Sequence, residues 1–296
     1  LVELWHAISK AGIVEPMPRV AALLQLYRSL VLYFGLPPLQ KMARAVGELI
    51  DVGKQWKLIS PLSALEAMTG ALQPTGAQSV LKANLSLTDV DKVLITSTTD
   101  LTTQQQATFF VFPSQYISLE AVFCKEEPQA VPFSEDNFPE AVRASGAIPG
   151  AFAPVTLPLG TNRDACVDGG VTNNTPIGQA VHAGADDITI VYVDPEIKPS
   201  RQLSTNIVEI LMGCYSMMQQ CILDLDYTTA LRVNDAVGAN AEDAKEKRII
   251  RLRKFRPDAP LAPGIIDFDK QALIDQAFAT GQADARNAVK RNGWAS

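Results

Sequence analysis

Residues Cys166–Asp194 read CVDGGVTNNTPIGQAVHAGADDITIVYVD. A short apolar approach through Val167 stops at the carboxylate of Asp168. Gly169 and Gly170 follow, with no side chain beyond hydrogen; they leave room for close approach and permit a positive φ. Pro176 then opens a helix expected to reach Ala183. The run Ile188–Val193 is continuous and rich in β-branched residues, the pattern of a strand buried on both faces. Strand, helix and strand in succession predict an α/β fold with a mainly parallel central sheet and helices on both faces. In such sheets a carboxylate at the C-terminal end of a strand sits where active sites form. A cap on the following turn is the alternative for Asp168, although Asn173, Asn174 and Thr175 are better placed to cap.

Outward from that stretch, Val93–Thr98 and Phe109–Phe112 read as strands joined by a polar connection. Phe138–Ser145 reads as a helix stopped by Gly146 and Pro149-Gly150. Asn206–Arg232 is a long helix whose Met and Cys residues are expected to fill core. Lys245–Pro257 alternates charge with Ile249, Ile250 and Leu252, predicting a half-buried strand with a basic outer face; an anion or lipid-headgroup contact is its alternative. Lys270–Val289 is a closing amphipathic helix. Before all of these lie a very apolar segment, Val20–Phe34, expected to be a buried helix or one lining a greasy pocket or a bilayer surface, then an amphipathic helix at Leu39–Leu49 and a helix starting at Ser60-Pro61. No internal repeat is evident.

The chain has 296 residues, is 47% hydrophobic and 20% charged, and carries a net charge of −6. That composition suits a large soluble core and is neither disordered nor an integral membrane chain. No basic stripe offers itself to phosphates, so no nucleic-acid partner is expected. The 4 cysteines show no metal or redox spacing, and a reduced, cytoplasmic setting is expected. With only 2 histidines, a zinc site is disfavoured.

FPEAVRASGAIPGAFAPV at Phe138–Val155, taken with ACVDGGVTNNTPIGQAVHAGADDITIVYV, resembles the patatin-like phospholipase family. LVELWHAI, ISPLSALEAM, ITSTTDLTTQQQATF and IIDFDKQALIDQAFATGQADA resemble further parts of it, so the likeness spans most of the chain. The resemblance implies one patatin-like α/β domain over residues 1–296, with a helical insertion at about 14–75. It implies a lipid acyl hydrolase, of phospholipase A or esterase type, working through a Ser–Asp dyad without cofactor or metal. Asp168 would be the general base, with Gly169 and Gly170 forming the active-site loop. The substrate would be a lipid, met free or at a membrane surface, which makes a peripheral membrane contact the companion to the cytoplasmic expectation. Leu24, Leu30 and Phe34 are candidates for lining the acyl pocket.

The family's serine lies in G-x-S-x-G, on a strand-to-helix elbow. No such motif occurs in these residues. Ser145 lacks the first glycine and follows a helix. The chain is therefore expected to be cut at its N-terminus just after the elbow, supplying the Asp and lacking the Ser. Loss of such a serine costs on the order of 10⁶ in kcat, so the chain alone is expected to be inactive. The competing reading is a non-catalytic lipid-binding or scaffold homologue. A metal-dependent phosphohydrolase using Asp168, Asp186, Asp187 and Asp194 is a third. His182, in the helix after Asp168, and His6 are expected to serve packing or surface roles. Oligomeric state is left open.

Overall fold

The structure, a computed structural model, describes residues 75–159, 162–193, 207–239, 247–259 and 271–293, the short segments 15–16 and 72–73, and positions 195 and 261. Leu24, Leu30, Phe34, His6 and Asp194 lie outside the described residues, as do the helices expected at Val20–Phe34, Leu39–Leu49 and after Ser60.

Strand β1 (Glu15–Pro16) pairs antiparallel with β2 (Leu72–Gln73). Helix α1 (Thr75–Asn84) follows, then β3 (Leu94–Asp100) and β4 (Gln105–Val111). β3 and β4 form a hairpin, in register from Leu94↔Val111 to Asp100↔Gln105. The expected polar connection is thus a tight turn. Asp100 makes it: its carboxylate accepts from the Thr102 N–H at 2.8 Å and the Thr103 hydroxyl at 2.6 Å. Gln104 closes the turn at φ 58°. Beyond lie α2 (Ile117–Glu126), β5 (Val131–Pro132), α3 (Phe138–Ser145), β6 (Val155–Leu159) and β7 (Asn162–Asp168).

The order in this 5-stranded sheet is β5-β4-β3-β7-β6. The α/β class holds, but the sheet is mixed rather than mainly parallel. β4 and β5 are parallel, whereas β3–β4, β3–β7 and β6–β7 are antiparallel. For β3–β4 and β6–β7 the reason is connection length: links of four and two residues are too short for a crossover, so the strands they join must run antiparallel.

Alternation in FFVF puts β4 side chains on both faces of the sheet. Phe109 joins Phe133, Phe138, Ala141, Ala144, Ala147, Val155, Leu157 and Cys166 on one side. Ala141 and Ala144 of α3 are fully buried, and their small side chains let the helix sit close to the sheet. Phe110 and Phe112 join Phe123 of α2 on the other side, with ring centroids 5.2 and 5.3 Å from it. Helices therefore cover both faces.

One carboxylate ties α1 to α3. Glu140 accepts from Gln78 at 3.0 Å, pairs with Lys82 at 2.9 Å, and with Arg143 at 2.6 Å. Burial pushes its carboxyl up, but Lys82, Arg143 and Gln78 outweigh this and hold it down at about 2, against an ordinary 4.5. A depressed carboxyl contributes stability above its unfolded pKa and loses it as pH falls through the folded one. Solvent reaches Lys82, which weakens the pair. Glu140→Gln is accordingly expected to cost about 1–2 kcal/mol at neutral pH and to flatten the stability loss between pH 4.5 and 2. Urea titrations at several pH values measure both.

The remaining elements are α4 (Ile177–His182), β8 (Asp187–Val191), α5 (Ile207–Gly238), β9 (Arg251–Phe255) and α6 (Gln271–Asn292). β8 and β9 pair in parallel, and Ile177, Ile190, Tyr192, Leu223 and Ile250 cluster there. The apolar run at Ile188–Val193 is not buried on both faces: Ile190 is buried, but Val191 is 66% and Val193 74% exposed. Packing comes from the α4 and α5 side, and β-branching alone does not report a second covering layer. Met217, Met218, Cys214 and Cys221 of α5 are likewise not core: Met217 is 61% and Met218 54% exposed, and Cys214 and Cys221 are exposed. The inward face of α5 is carried by Leu223, Tyr227 and Ala230. The basic strand is β9, and its arginines face an acid next door: Arg251 and Arg253 pair with Asp187 at 3.1 and 2.7 Å. Among the described residues no helix is long and apolar enough to cross a membrane.

Candidate active site

Strand β7 ends at Asp168, whose ladder partner on β3 is Thr98. Its main chain is tied on both sides. The Asp168 N–H donates to the Ala147 carbonyl at 2.9 Å. The Asp168 carbonyl accepts from the Thr99 hydroxyl at 3.0 Å, which also contacts the Thr172 hydroxyl at 2.9 Å. The ASGAIPG loop after α3 is thus the brace on one side, and a buried threonine of the central strand the brace on the other. Ser145 is the last residue of α3, with Gly146 as the C-cap. It sits at a helix end, away from any strand-to-helix elbow.

The chain leaves β7 through a single 3₁₀ turn, Gly169–Val171, and Asp168 is its N-cap. Oδ1 of Asp168 accepts from the Gly170 N–H at 2.7 Å. The capping role therefore falls to Asp168 itself, because its side chain sits two residues before the free N–H. Asn173 is used otherwise, donating to Gln106 at 2.9 Å and Gln179 at 3.1 Å. Pro176, ahead of α4, makes no side-chain cap bond.

The two glycines are required for space. Among the described residues the glycines with positive φ are Gly150, Gly184 and Gly293, so the freedom expected of Gly169 and Gly170 is not what is used. A Cβ on Gly169 would overlap the Ser97 carbonyl of β3, with the carbonyl carbon at 2.7 Å. A Cβ on Gly170 would run into the Gln219 side-chain amide, with Asn174 Oδ1 at 2.9 Å. Gly169 lets the turn lie on the central strand, and Gly170 lets α5 lie on the turn.

Helix α5 completes the site. The Tyr215 hydroxyl lies close enough to the Asp168 carboxylate to act on its pKa as a donor. Gln219, one turn on, donates to the Tyr215 oxygen at 2.9 Å. The Gln219 carbonyl accepts from Asn174 at 3.3 Å. Burial raises the Asp168 carboxyl above its ordinary range, and the donors at Gly170 and Tyr215 oppose this without cancelling it. A carboxylate so placed is a better base than one in water, and a half-buried, perturbed acid at a strand end is a functional-site candidate.

Tyr215 and Gln219 carry no motif and lie far from Asp168 in sequence. Their one trace is an i, i+4 polar pair inside the apolar run ILMGCYSMMQQCIL. The other candidates separate from the site. His182 pairs with Glu127 at 2.8 Å. Asp186 pairs with Arg248 at 2.6 Å, and Asp187 with the β9 arginines. Asp186 and Asp187, two of the carboxylates offered for a metal centre, are thus engaged elsewhere, Asp194 lies outside the described residues, and no cluster of three or more His, Cys, Asp or Glu forms among the described residues.

The model of the patatin-like phospholipase family matches residues 20–181, a span that contains the ASGAIPG loop and the Asp168–Gly170 turn. No curated protein matches the chain. Since the match covers more than half of the 296 residues, this chain belongs to the patatin-like phospholipase family, and so to a family of lipid hydrolases.

Proposed function

We propose that the protein is a carboxylic-ester hydrolase acting on fatty-acyl esters of glycerol or phosphoglycerol, with Asp168 as the base of a Ser–Asp dyad. The observation that carries this is the Asp168 carboxylate itself: half-buried, raised above its ordinary pKa range, and held at the end of β7 by contacts to its backbone and to one of its oxygens. In this reading the serine is supplied from outside these 296 residues, since G-x-S-x-G does not occur in them.

In this mechanism the serine oxygen attacks the ester carbonyl and passes its proton to Asp168. Backbone amides near the serine stabilise the tetrahedral oxyanion. As the ester C–O bond breaks, Asp168 returns the proton to the departing alcohol, leaving an acyl-enzyme. Water then attacks the acyl carbon, gives its proton to Asp168, and the fatty acid leaves as the serine recovers that proton. No metal or cofactor takes part. The acyl chain is proposed to lie against Leu24, Leu30 and Phe34. Four free cysteines suit a reducing compartment, so the proposed site of action is a lipid surface facing the cytoplasm.

The rival reading is a lipid-binding or scaffold homologue. It draws on one observation: the Asp168 carboxylate already has donors at Gly170 and Tyr215, as a purely structural cap would. The test is to read the gene upstream of Leu1 and assay the 296-residue chain and the longer product with fluorogenic acyl esters. The hydrolase reading expects G-x-S-x-G upstream and activity in the longer product alone. An upstream region with no serine elbow, or robust hydrolysis by the 296-residue chain, sinks the dyad.

A further inference from the structure

Resting on the reading of Asp168 as the base, we infer that Tyr215 is a positioning residue of the reaction: its hydroxyl, anchored by Gln219, fixes the direction of the Asp168 carboxylate and makes α5 part of the catalytic frame. The hydrogen-bond directions follow from the donor inventory. Gln219 donates through Nε2 to the Tyr215 oxygen at 2.9 Å, which leaves the phenolic hydrogen free to point away. A carboxylate only accepts, so the hydrogen points to Asp168. Burial, reinforced by the neighbouring Asp168 charge, pushes the Tyr215 phenol well above its ordinary range, so it remains a donor at every pH relevant to hydrolysis.

The relay is built into the fold. Gln219 is itself placed, its carbonyl held by Asn174 at 3.3 Å and its amide filling the space left by the missing Gly170 side chain. The groups that bear on the Asp168 proton affinity are burial, the Gly170 amide and the Tyr215 hydroxyl, and none of them is a cation. From β3 the neighbours are Thr98 and Thr99, and from the loop after α3 the Ala147 carbonyl; none of these titrates. Two neutral donors therefore have to keep a half-buried base ionised. The Gly170 amide belongs to the turn, but Tyr215 arrives from another element, so the placement of α5 sets the readiness of the base.

The experiment is a carbon-13 NMR titration of aspartate carboxyls in the 296-residue chain, with the Asp168 signal assigned by its loss in Asp168→Asn. Tyr215→Phe is expected to move the Asp168 midpoint up by about one pH unit. Gln219→Met, which leaves the phenol but removes its anchor, should move it up by less and covers the case in which Tyr215→Phe does not fold. In the longer, serine-bearing protein, Tyr215→Phe should carry the acid limb of kcat/KM up by the same shift and lower kcat about 10-fold with KM unchanged. An unmoved Asp168 midpoint overturns the inference, as does a moved midpoint with an unmoved acid limb. The dyad fails on a different result, hydrolysis retained in Asp168→Asn, so the two readings part cleanly.

Discussion

Asp168→Asn in the serine-bearing protein is expected to lower kcat for acyl-ester hydrolysis by about 10⁴-fold or more. Asparagine has the shape of aspartate and keeps an oxygen for the Gly170 N–H, so the turn should survive. What disappears is the proton acceptor. The stability of the variant has a sign that follows from linkage. Burial raises the Asp168 carboxyl above its ordinary range in the folded state. A carboxyl raised by folding favours the folded state while protonated, and that contribution is lost as pH rises through the folded pKa. At neutral pH the ionised Asp168 is therefore a cost to folding, and the neutral amide relieves it. Asp168→Asn should be inactive yet at least as resistant to heat as the parent at pH 7, the trade expected where function needs a strained group. Ester assays beside thermal melts measure the pair. Unaltered hydrolysis would move the base elsewhere. Lost hydrolysis together with a clear drop in Tm would make Asp168 a structural cap.

Gly169→Ala is the substitution expected to damage the fold most. The obstacle is the Ser97 carbonyl, which belongs to the central strand β3. β3 is hydrogen-bonded to β4 on one side and to β7 on the other, so it cannot step aside without breaking ladder bonds. A methyl group forced against fixed main chain costs about 2–4 kcal/mol. Gly170→Ala makes the useful contrast. There the first obstacle is the end of the Gln219 side chain, which can swing away. Its cost should be nearer about 1 kcal/mol, most of it from lost contact with α5. Urea unfolding of the two variants measures the difference. A loss below about 0.5 kcal/mol for Gly169→Ala, no more than a neutral surface change, would mean that the turn does not lie on β3 as described.

Much of the site could be read from residues alone because local chemistry announces it. Asp168-Gly169-Gly170 after an apolar strand marks a tight turn that carries a carboxylate, and Phe138–Ser145 with its glycine stop forms a helix at those bounds. Strand direction was harder to read. Alternation of strand and helix suggests parallel order, but Asp100 and its threonines build a reverse turn whose signal is spread over side-chain bonds rather than a Gly-containing pair. The burial of α5 was hidden for a different reason. Met and Cys are apolar wherever they lie, and only the position of the helix against its neighbours decides that Leu223 turns inward and Met217 outward. Tyr215 could not be found from sequence spacing, since its meeting with Asp168 depends on where a later helix is laid across the turn.

The ladder that pairs Thr98 with Asp168 also limits how this protein can change length. Side chains alternate along β7, so one added or deleted residue within it would exchange the faces of everything beyond the change. Cys166, now sealed in the core, and Asp168 would no longer point where they do. Changes in length can be absorbed instead at the hairpin tips, 101–104 and 160–161, where the chain reverses. Engineered tags, labels or grafted loops therefore belong at those tips, and the few residues leading up to the carboxylate must be kept to the letter count they have.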